Sequence, residues 1–431
     1  MDNLKLPIVI IKKILRLLTS VDYKNLKTYL LISKGLRDFI LTIINGVVIN
    51  NKRQLNQITK VKLYNGQYFK DYIKKVILDT IDFKPSPWDQ IKNEDLSEFK
   101  NLKLVTIKLL NNIDLTETSK IVNNSKYKTK FRSFGSDSPY KIVGSNNPFI
   151  NLKKLTLPTC NYTLPEVTNH IVPSKNLKSI DISINPWKPQ FILAEDRDFD
   201  RESDLFFQSL KDLNLKKLSL RDRRVYTSNS SEYLNMNQFA LPEYSYFITV
   251  LNSTIPLLNL SKLHLYGIFI EPNNFFNSLS QSKSLKITKL KLVSTNLKEE
   301  NVFGELIHYL TEINKEIKNL SIRKNFIRTS NQNKMFMKYL RETNTLQKLD
   351  VSYNYFDCKD IFAQVISKRN QLSNITISDL TDAPHDLLVS SNILNDVQVK
   401  YSGGLRNEVL TNNKVKEIKN NMHCRTAFSY F

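Results

Sequence analysis

The nine residues from Leu346 to Asn354, LQKLDVSYN, constrain this chain more than any other stretch. Leu349 and Val351 lie two apart, so on a strand they point to one face. Leu346 leads them, and Asn354 closes the phrase with an amide suited to a turn. One such unit cannot bury its apolar face alone, whereas stacked copies can. Copies are present: IKNLSIRKN from Ile317, ITKLKLVST from Ile287 with Asn296 one place late, LSKLHLYGI from Leu260, LKKLSLRDR from Leu215, LKSIDISIN from Leu177, LKKLTLPTC from Leu152 and LSNITISDL from Leu372. Weaker copies begin at Leu102 (LKLVTIKLL), Ile73 (IKKVILDTI), Ile58 (ITKVKLYNG) and Leu394 (LNDVQVKYS). The starts at 260, 287, 317, 346 and 372 are separated by 27, 30, 29 and 26 residues, and those at 152 and 177 by 25. Longer steps, from 102 to 152, 177 to 215 and 215 to 260, leave room for insertions or missed copies.

The phrase and its period resemble the leucine-rich repeat, whose pattern closes on Asn or Cys. Cys160 takes that place in the copy from Leu152. The resemblance implies an α/β solenoid of horseshoe type, with one strand and one helix per repeat. The competing reading of the same residues is a set of buried strands in an ordinary α/β domain. The helices are legible after the strands. Val302, Phe303, Leu306, Ile307, Leu310 and Ile313 recur at three and four residues after Asn296. Met337, Tyr339 and Leu340 follow Asn325, and Ile361, Phe362, Val365 and Ile366 follow Asn354. Repeats of this length with an outer helix resemble the ribonuclease-inhibitor style of horseshoe. The solenoid is expected over residues 50–405, with insertions near 118–148, 186–203 and 221–245. These stretches hold turn signals such as FGSDSP and the acidic run EDRDFDRESD. Residues 406–431 are expected to be a C-terminal cap or tail.

The first 48 residues read as a small helical unit. Pro7 suits a first helical turn, and Ile10, Ile14 and Leu17 follow at helical spacing. Asp22 is placed to cap a second helix. Leu6-Pro7, Ile10, Ile14-Leu15, Ile32-Ser33 and Arg37 together resemble the F-box, the helical motif of ubiquitin-ligase adaptors. The sequence departs from that motif at Val9, where Glu is usual, and at Leu36, where Trp is usual. Position strengthens the resemblance, because an F-box ahead of leucine-rich repeats is the order of the F-box/leucine-rich-repeat family. That family's arrangement implies that Leu6, Pro7, Ile10, Ile14, Leu15, Ile32 and Arg37 dock on the linker protein of a cullin ligase. A helical end cap over the solenoid core is the plainer reading of the same segment.

The remaining composition narrows the function classes. The chain is 431 residues long with a formal net charge of +22. Such a balance raises nucleic acid as a partner, yet the chain is rich in Lys, Asn and Ile, which share AT-rich codons. The basic residues also lack a series of aromatic stacking partners, so nucleic acid is not expected. No run approaches the length of a membrane span. The three cysteines include no CxxC pair, which supports neither a disulfide framework nor a zinc site and points to the cytoplasm or nucleus. Phosphate-loop, dinucleotide, zinc-protease and serine-hydrolase motifs are absent. His308 falls in a packed helix and reads as structural. Neither enzymatic activity, a cofactor nor a metal is expected.

Function is therefore sought on the strands. The residue between the two inward positions, and those flanking them, face away from the core and would line a concave surface. Lys217, Arg221, Lys262, Lys289, Lys291, Arg323 and Lys348 fill such places, with His264 and Tyr266 between them. Lysine is a poor strand former, so propensity does not account for it there. A basic row suits an acidic or phosphorylated protein segment, though a lysine-rich protein can also place lysines on a solvated face. The leading expectation is a substrate adaptor of a cullin-type ubiquitin ligase. The alternatives are a stand-alone repeat scaffold for protein partners and, third, an RNA-binding solenoid.

Overall fold

A strand of period two followed by a helix of period 3.6 can repeat indefinitely only if each strand returns beside the last. The computed structural model has that arrangement. It describes residues 21–22, 46–62, 66–79, 91–109, 152–157, 174–184, 199–222, 242–272, 274–281, 286–367, 371–377, 398–403 and 406–409, parts of 120–133, and positions 164 and 168. The chain forms two compact units, residues 1–183 with 212–214 and residues 184–211 with 215–431. Both are α/β, with parallel strands in sequential order alternating with helices, a pattern compatible with a solenoid-like repeat.

In the first unit, strands β1 (Val21–Asp22), β2 (Gly46–Ile49), β3 (Lys75–Asp79), β4 (Leu104–Leu109), β5 (Lys128–Ser133), β6 (Leu152–Leu157) and β7 (Ser179–Ile184) pair in parallel, each with the next. The register Val47, Val76, Val105, Thr129 puts equivalent residues side by side. Helix α1 (Lys52–Thr59) is capped by Asn51, whose side chain accepts from the Gln54 amide, while Gln54 accepts from the Asn50 amide. A short helix α2 (Asn93–Ser97) follows β3, with Asp95 accepting from the Lys92 amide.

In the second unit, helix α3 (Phe199–Lys211) leads to β8 (Lys217–Asp222) and α4 (Pro242–Thr254) to β9 (Lys262–Tyr266). Then α5 (Phe275–Gln281), β10 (Lys289–Val293), α6 (Glu300–His308), β11 (Asn319–Ser321), α7 (Ser330–Glu342), β12 (Lys348–Asp350), α8 (Cys358–Ser367) and β13 (Asn374–Ile377) alternate. Strand β14 (Gln398–Gly403) pairs in parallel with β13, and β15 (Arg406–Val409) turns back antiparallel along it. Sequential order has a physical consequence. A right-handed crossover is the rule between parallel strands, so steps that always advance the same way lay every helix on the same face. Among the described residues the opposite face is thereby left without a helical layer, unlike that of most parallel sheets.

The core follows from this. Leu263, Leu265, Leu290, Leu292, Leu320, Ile322, Leu349 and Val351 are buried, as are Val302, Phe303, Leu306, Phe336 and Leu340 on the helices. Phe336 stacks on Phe356 at 4.7 Å between ring centroids, and Phe303 lies 6.4 Å from both. Helix α6 widens into a π turn over Tyr309–Ile313, where the Asn314 amide reaches the Tyr309 carbonyl. That turn lets the Asn314 side chain donate to the Ile287 carbonyl and the Tyr309 hydroxyl. Thr329 and Gln332 cap α7 reciprocally, and the Gln332 side chain donates back to the Leu297 and Lys298 carbonyls of the preceding repeat.

The closing asparagines form a ladder. Asn325 accepts from the Thr295 amide and hydroxyl and donates to the Leu292 and Ile322 carbonyls. Asn354 accepts from the Asn325 amide and donates to the Ile322 and Val351 carbonyls. Asn296 accepts from the Ile270 amide and donates to its carbonyl, so its one-place displacement keeps the role. The eighth residue of the phrase adopts positive φ in four successive copies: Gly267 (67°), Ser294 (51°), Lys324 (57°) and Tyr353 (60°).

Several expectations change. The described part of the phrase from Ile58 is not a strand: Ile58 and Thr59 end α1, and Lys62 forms an isolated bridge to Tyr68. The strand of that repeat is Gly46–Ile49, because Asn51 commits the following residues to a helix. The expected insertion at 118–148 contains β5, a missed repeat in register with β4 and β6. The one at 186–203 is shortened by the start of α3 at Phe199, whose first turn carries Asp200 and Glu202, where acids favour a helix N-terminus. The one at 221–245 loses Arg221 and Asp222 to β8 and its last residues to α4. Asp22 lies in β1, paired with Val48, and the helix it was expected to cap falls outside the described residues. Strand β14 aligns Val399 with Ile375, which moves the last phrase two residues later. The F-box-like residues Leu6, Pro7, Ile10, Ile14, Leu15, Ile32 and Arg37 lie outside the described residues.

Candidate functional site: a basic sheet face

The face without helices carries the third, fifth and seventh residues of each phrase. Strand register sorts them into rows. Lys217, Lys262, Lys289, Asn319, Lys348 and Asn374 form one row across β8–β13. Ser219, His264, Lys291, Ser321, Asp350 and Thr376 form the next, and Arg221, Tyr266 and Val293 the beginning of a third. Neighbouring strands lie roughly 4.8 Å apart, so Lys217, Lys262 and Lys289 stand in immediate succession.

These rows bring together eight of the nine residues that the sequence singles out, all but Arg323, and not equally. Lys289, Lys291 and Lys348 line one concavity of about 220 Å³ with Asn319, Ser321 and Asp350. Burial and then the charges of Lys291, Lys262, Lys217 and Lys348 push the Lys289 amine below its ordinary range. Burial lowers Lys291 as well, partly offset by Asp350 and reinforced by Lys217, Arg221 and Arg323. Asp350 accepts hydrogen bonds from the Ser321 hydroxyl (3.2 Å), the Ser352 hydroxyl (2.7 Å) and the Ser352 amide (3.2 Å).

At the other end of the rows, the Arg221 guanidinium lies 4.2 Å over the Tyr266 ring, and His264 meets that ring edge-on. His264 is 5% exposed and offers a partner little surface. Arg323 lies beyond the end of β11, with its guanidinium 4.9 Å over Tyr353. His308 sits on the exposed side of α6, contrary to its expected structural role. The concavity walls Asn319, Ser321 and Asp350 are absent from the sequence-based site. Ser, Thr and Asn on an outward strand face look the same whether they bind a partner or only water, so the sequence holds no signal for them.

Among the described residues no cluster of His, Cys, Asp or Glu could hold a metal ion, and no helix is long and apolar enough to cross a membrane. No protein-family model and no curated protein matches the chain.

Proposed function

We propose that the chain is a leucine-rich-repeat protein that captures an acidic protein segment on the open face of its second unit. One observation carries this reading: lysines succeed lysines across neighbouring strands, with Lys217, Lys262 and Lys289 in register and Lys291 and Lys348 beside them. Stacked like charges oppose folding at close range, and an anionic partner relieves that cost. The left-handed eighth position and the asparagine ladder support the leucine-rich-repeat identity, because each phrase ends in the same hydrogen-bonded turn. An extended segment would cross the strands and present carboxylates to successive lysines.

The adaptor role follows from the F-box-like residues of the N-terminus. In this reading Leu6, Pro7, Ile10, Ile14, Leu15, Ile32 and Arg37 bury an apolar helix face against the cullin-ligase linker protein, and the repeats present the substrate. The stand-alone scaffold differs only in lacking that tether. Affinity purification of the full chain beside a version lacking residues 1–45 separates the two. Cullin and its linker should accompany the full chain and vanish with the truncation; their absence from both leaves the scaffold. Charge reversal at Lys289, Lys291 and Arg323 together should release the co-purified substrate while the melting temperature holds. Undiminished capture by a folded triple variant would remove the basic face from the function. Steep loss of binding to RNA with salt would instead favour a nucleic-acid ligand.

A further inference from the structure

The concavity on β10–β13 differs from the rest of the basic face. It has depth, about 220 Å³, and three lysines converge on it. The two arginines of the face lie instead over rings, Arg221 on Tyr266 and Arg323 on Tyr353. We infer that this concavity seats the phosphoryl group of a phosphorylated protein segment, held by Lys289, Lys291 and Lys348. The inference rests on the acidic-segment reading above and sharpens it to one chemical group at one place.

Three features argue for a phosphoryl group on a peptide. First, three lysines line the one concavity, and a single carboxylate carries too little charge to balance them. A dianion with three acceptor oxygens matches three ammonium groups better. Second, Lys289 and Lys291 are depressed chiefly by loss of water, and an anion arriving there meets amines already stripped of part of their hydration. Third, the side-chain oxygen of Asn319 is buried in the concavity wall without a hydrogen-bond partner. An unsatisfied buried acceptor is rare in a folded protein. Inorganic phosphate at neutral pH offers it few protons, whereas a peptide brings a backbone N–H beside its phosphoryl group.

Asp350 sets the opposite charge on the same wall. Its two oxygens are engaged by Ser321 and Ser352, which holds the carboxylate in place. An anion must therefore bind toward Lys289 and Lys348, and neutralising Asp350 should strengthen it.

The test is fluorescence anisotropy of degenerate peptide pools with a central phosphoserine, serine or glutamate, with inorganic phosphate as competitor. The full-length protein is compared with Lys291→Gln, Asp350→Asn and a Lys217→Glu/Lys262→Glu variant, each first checked by thermal melting. The phosphoserine pool should bind about tenfold or more tighter than the serine pool, as charge-assisted bonds allow. Lys291→Gln should remove that preference, Asp350→Asn should increase it, and inorganic phosphate should compete only weakly. Equal binding of phosphoserine and glutamate pools, lost in Lys217→Glu/Lys262→Glu but kept in Lys291→Gln, overturns the phosphoryl seat and keeps the acidic-segment reading. Binding by none of the anionic pools overturns both. Phosphate competing as well as the peptides do would show a bare anion site and overturn the peptide assignment. If Lys291→Gln does not fold, Asp350→Asn decides: unchanged phosphoserine affinity there overturns the seat.

Discussion

Each unit crowds lysines on its sheet, and the two crowds are physically different. In the first unit Lys153 is lowered first by the charge of Lys128 and then by burial, with Lys178 and Lys130 adding to it. It stands at the irregular step where Leu152 and Lys154 pair with adjacent residues of β5. Nearby, Lys108 forms a 2.5 Å ion pair with Asp79, its cross-strand neighbour. In the second unit Lys289 and Lys291 are lowered first by burial. Repulsion between hydrated amines is inexpensive because water screens it. Lost hydration cannot be screened away, and only a ligand or deprotonation restores it. The comparison teaches that lysine count alone does not describe a sheet face: neighbouring charge dominates in one unit and burial in the other.

The largest effect should come from the ladder that fixes the second unit's turns. Asn325→Ala strands the Thr295 amide and hydroxyl and the carbonyls of Leu292 and Ile322. A loss of about 3 kcal/mol is expected from so many buried unpaired groups, read as a lower urea midpoint. A loss below about 1 kcal/mol would show that water replaces the amide, and the turns would then be no more fixed than exposed loops.

The lysine contrast predicts opposite signs. Asp79→Asn should cost about 1 kcal/mol, the upper range for a partly exposed pair. Lys289→Met should instead gain about 0.5 kcal/mol, because it removes a dehydrated charge and keeps the stem. A loss at Lys289 would erase the distinction between the two units.

Alkaline titration sharpens the same point. Lys289 and Lys291 release protons earlier in the folded chain than in the unfolded one. The unfolded state then binds more protons, so stability rises with pH as the ordinary lysine value of 10.5 is approached from below. Tyr309 acts the other way. Burial pushes its hydroxyl up to about 12, and Tyr339 moves in the same direction. The unfolded tyrosines ionise first, so stability falls as pH climbs from 10. Urea midpoints across this range should pass through a maximum, and Lys289→Met should flatten its rising side. A monotonic decline in the parent chain would contradict the assignment.

Effects of the same modest size are expected at the left-handed turns. Ser294→Gly should gain about 0.5 kcal/mol, since glycine alone adopts positive φ without steric cost. Gly267→Ala should lose about 1 kcal/mol for the converse reason. Differential scanning calorimetry resolves both signs.

Much of this was legible because the inward positions are leucine and isoleucine. Strands β6–β13 all begin within phrases that the sequence marks. Strand β5 was not, because Thr129 and Phe131 stand at its inward places and Lys126 at the leading one. Thr129 is nevertheless fully buried and donates its hydroxyl to the Val122 carbonyl, a pairing no periodicity reveals. The phrase from Ile58 misled because a helix end and a strand can share an apolar-x-x-apolar spacing over four residues. The lysines of the site were legible one by one. Their convergence was not, because it depends on a register of 30 residues between Lys289 and Asn319 and 29 between Asn319 and Lys348.

The sequential strand order also bears on how such a chain changes over generations. In each unit the successive parallel strands, β1–β7 and β8–β14, advance in one direction, so nothing in the sheet measures its length. Lys217 and Lys262 are direct neighbours across 45 residues, and Lys348 and Asn374 across 26. A duplicated or deleted repeat would lengthen or shorten the lysine rows without reordering them. The length of the lysine rows is then set by how many times a short phrase has been copied.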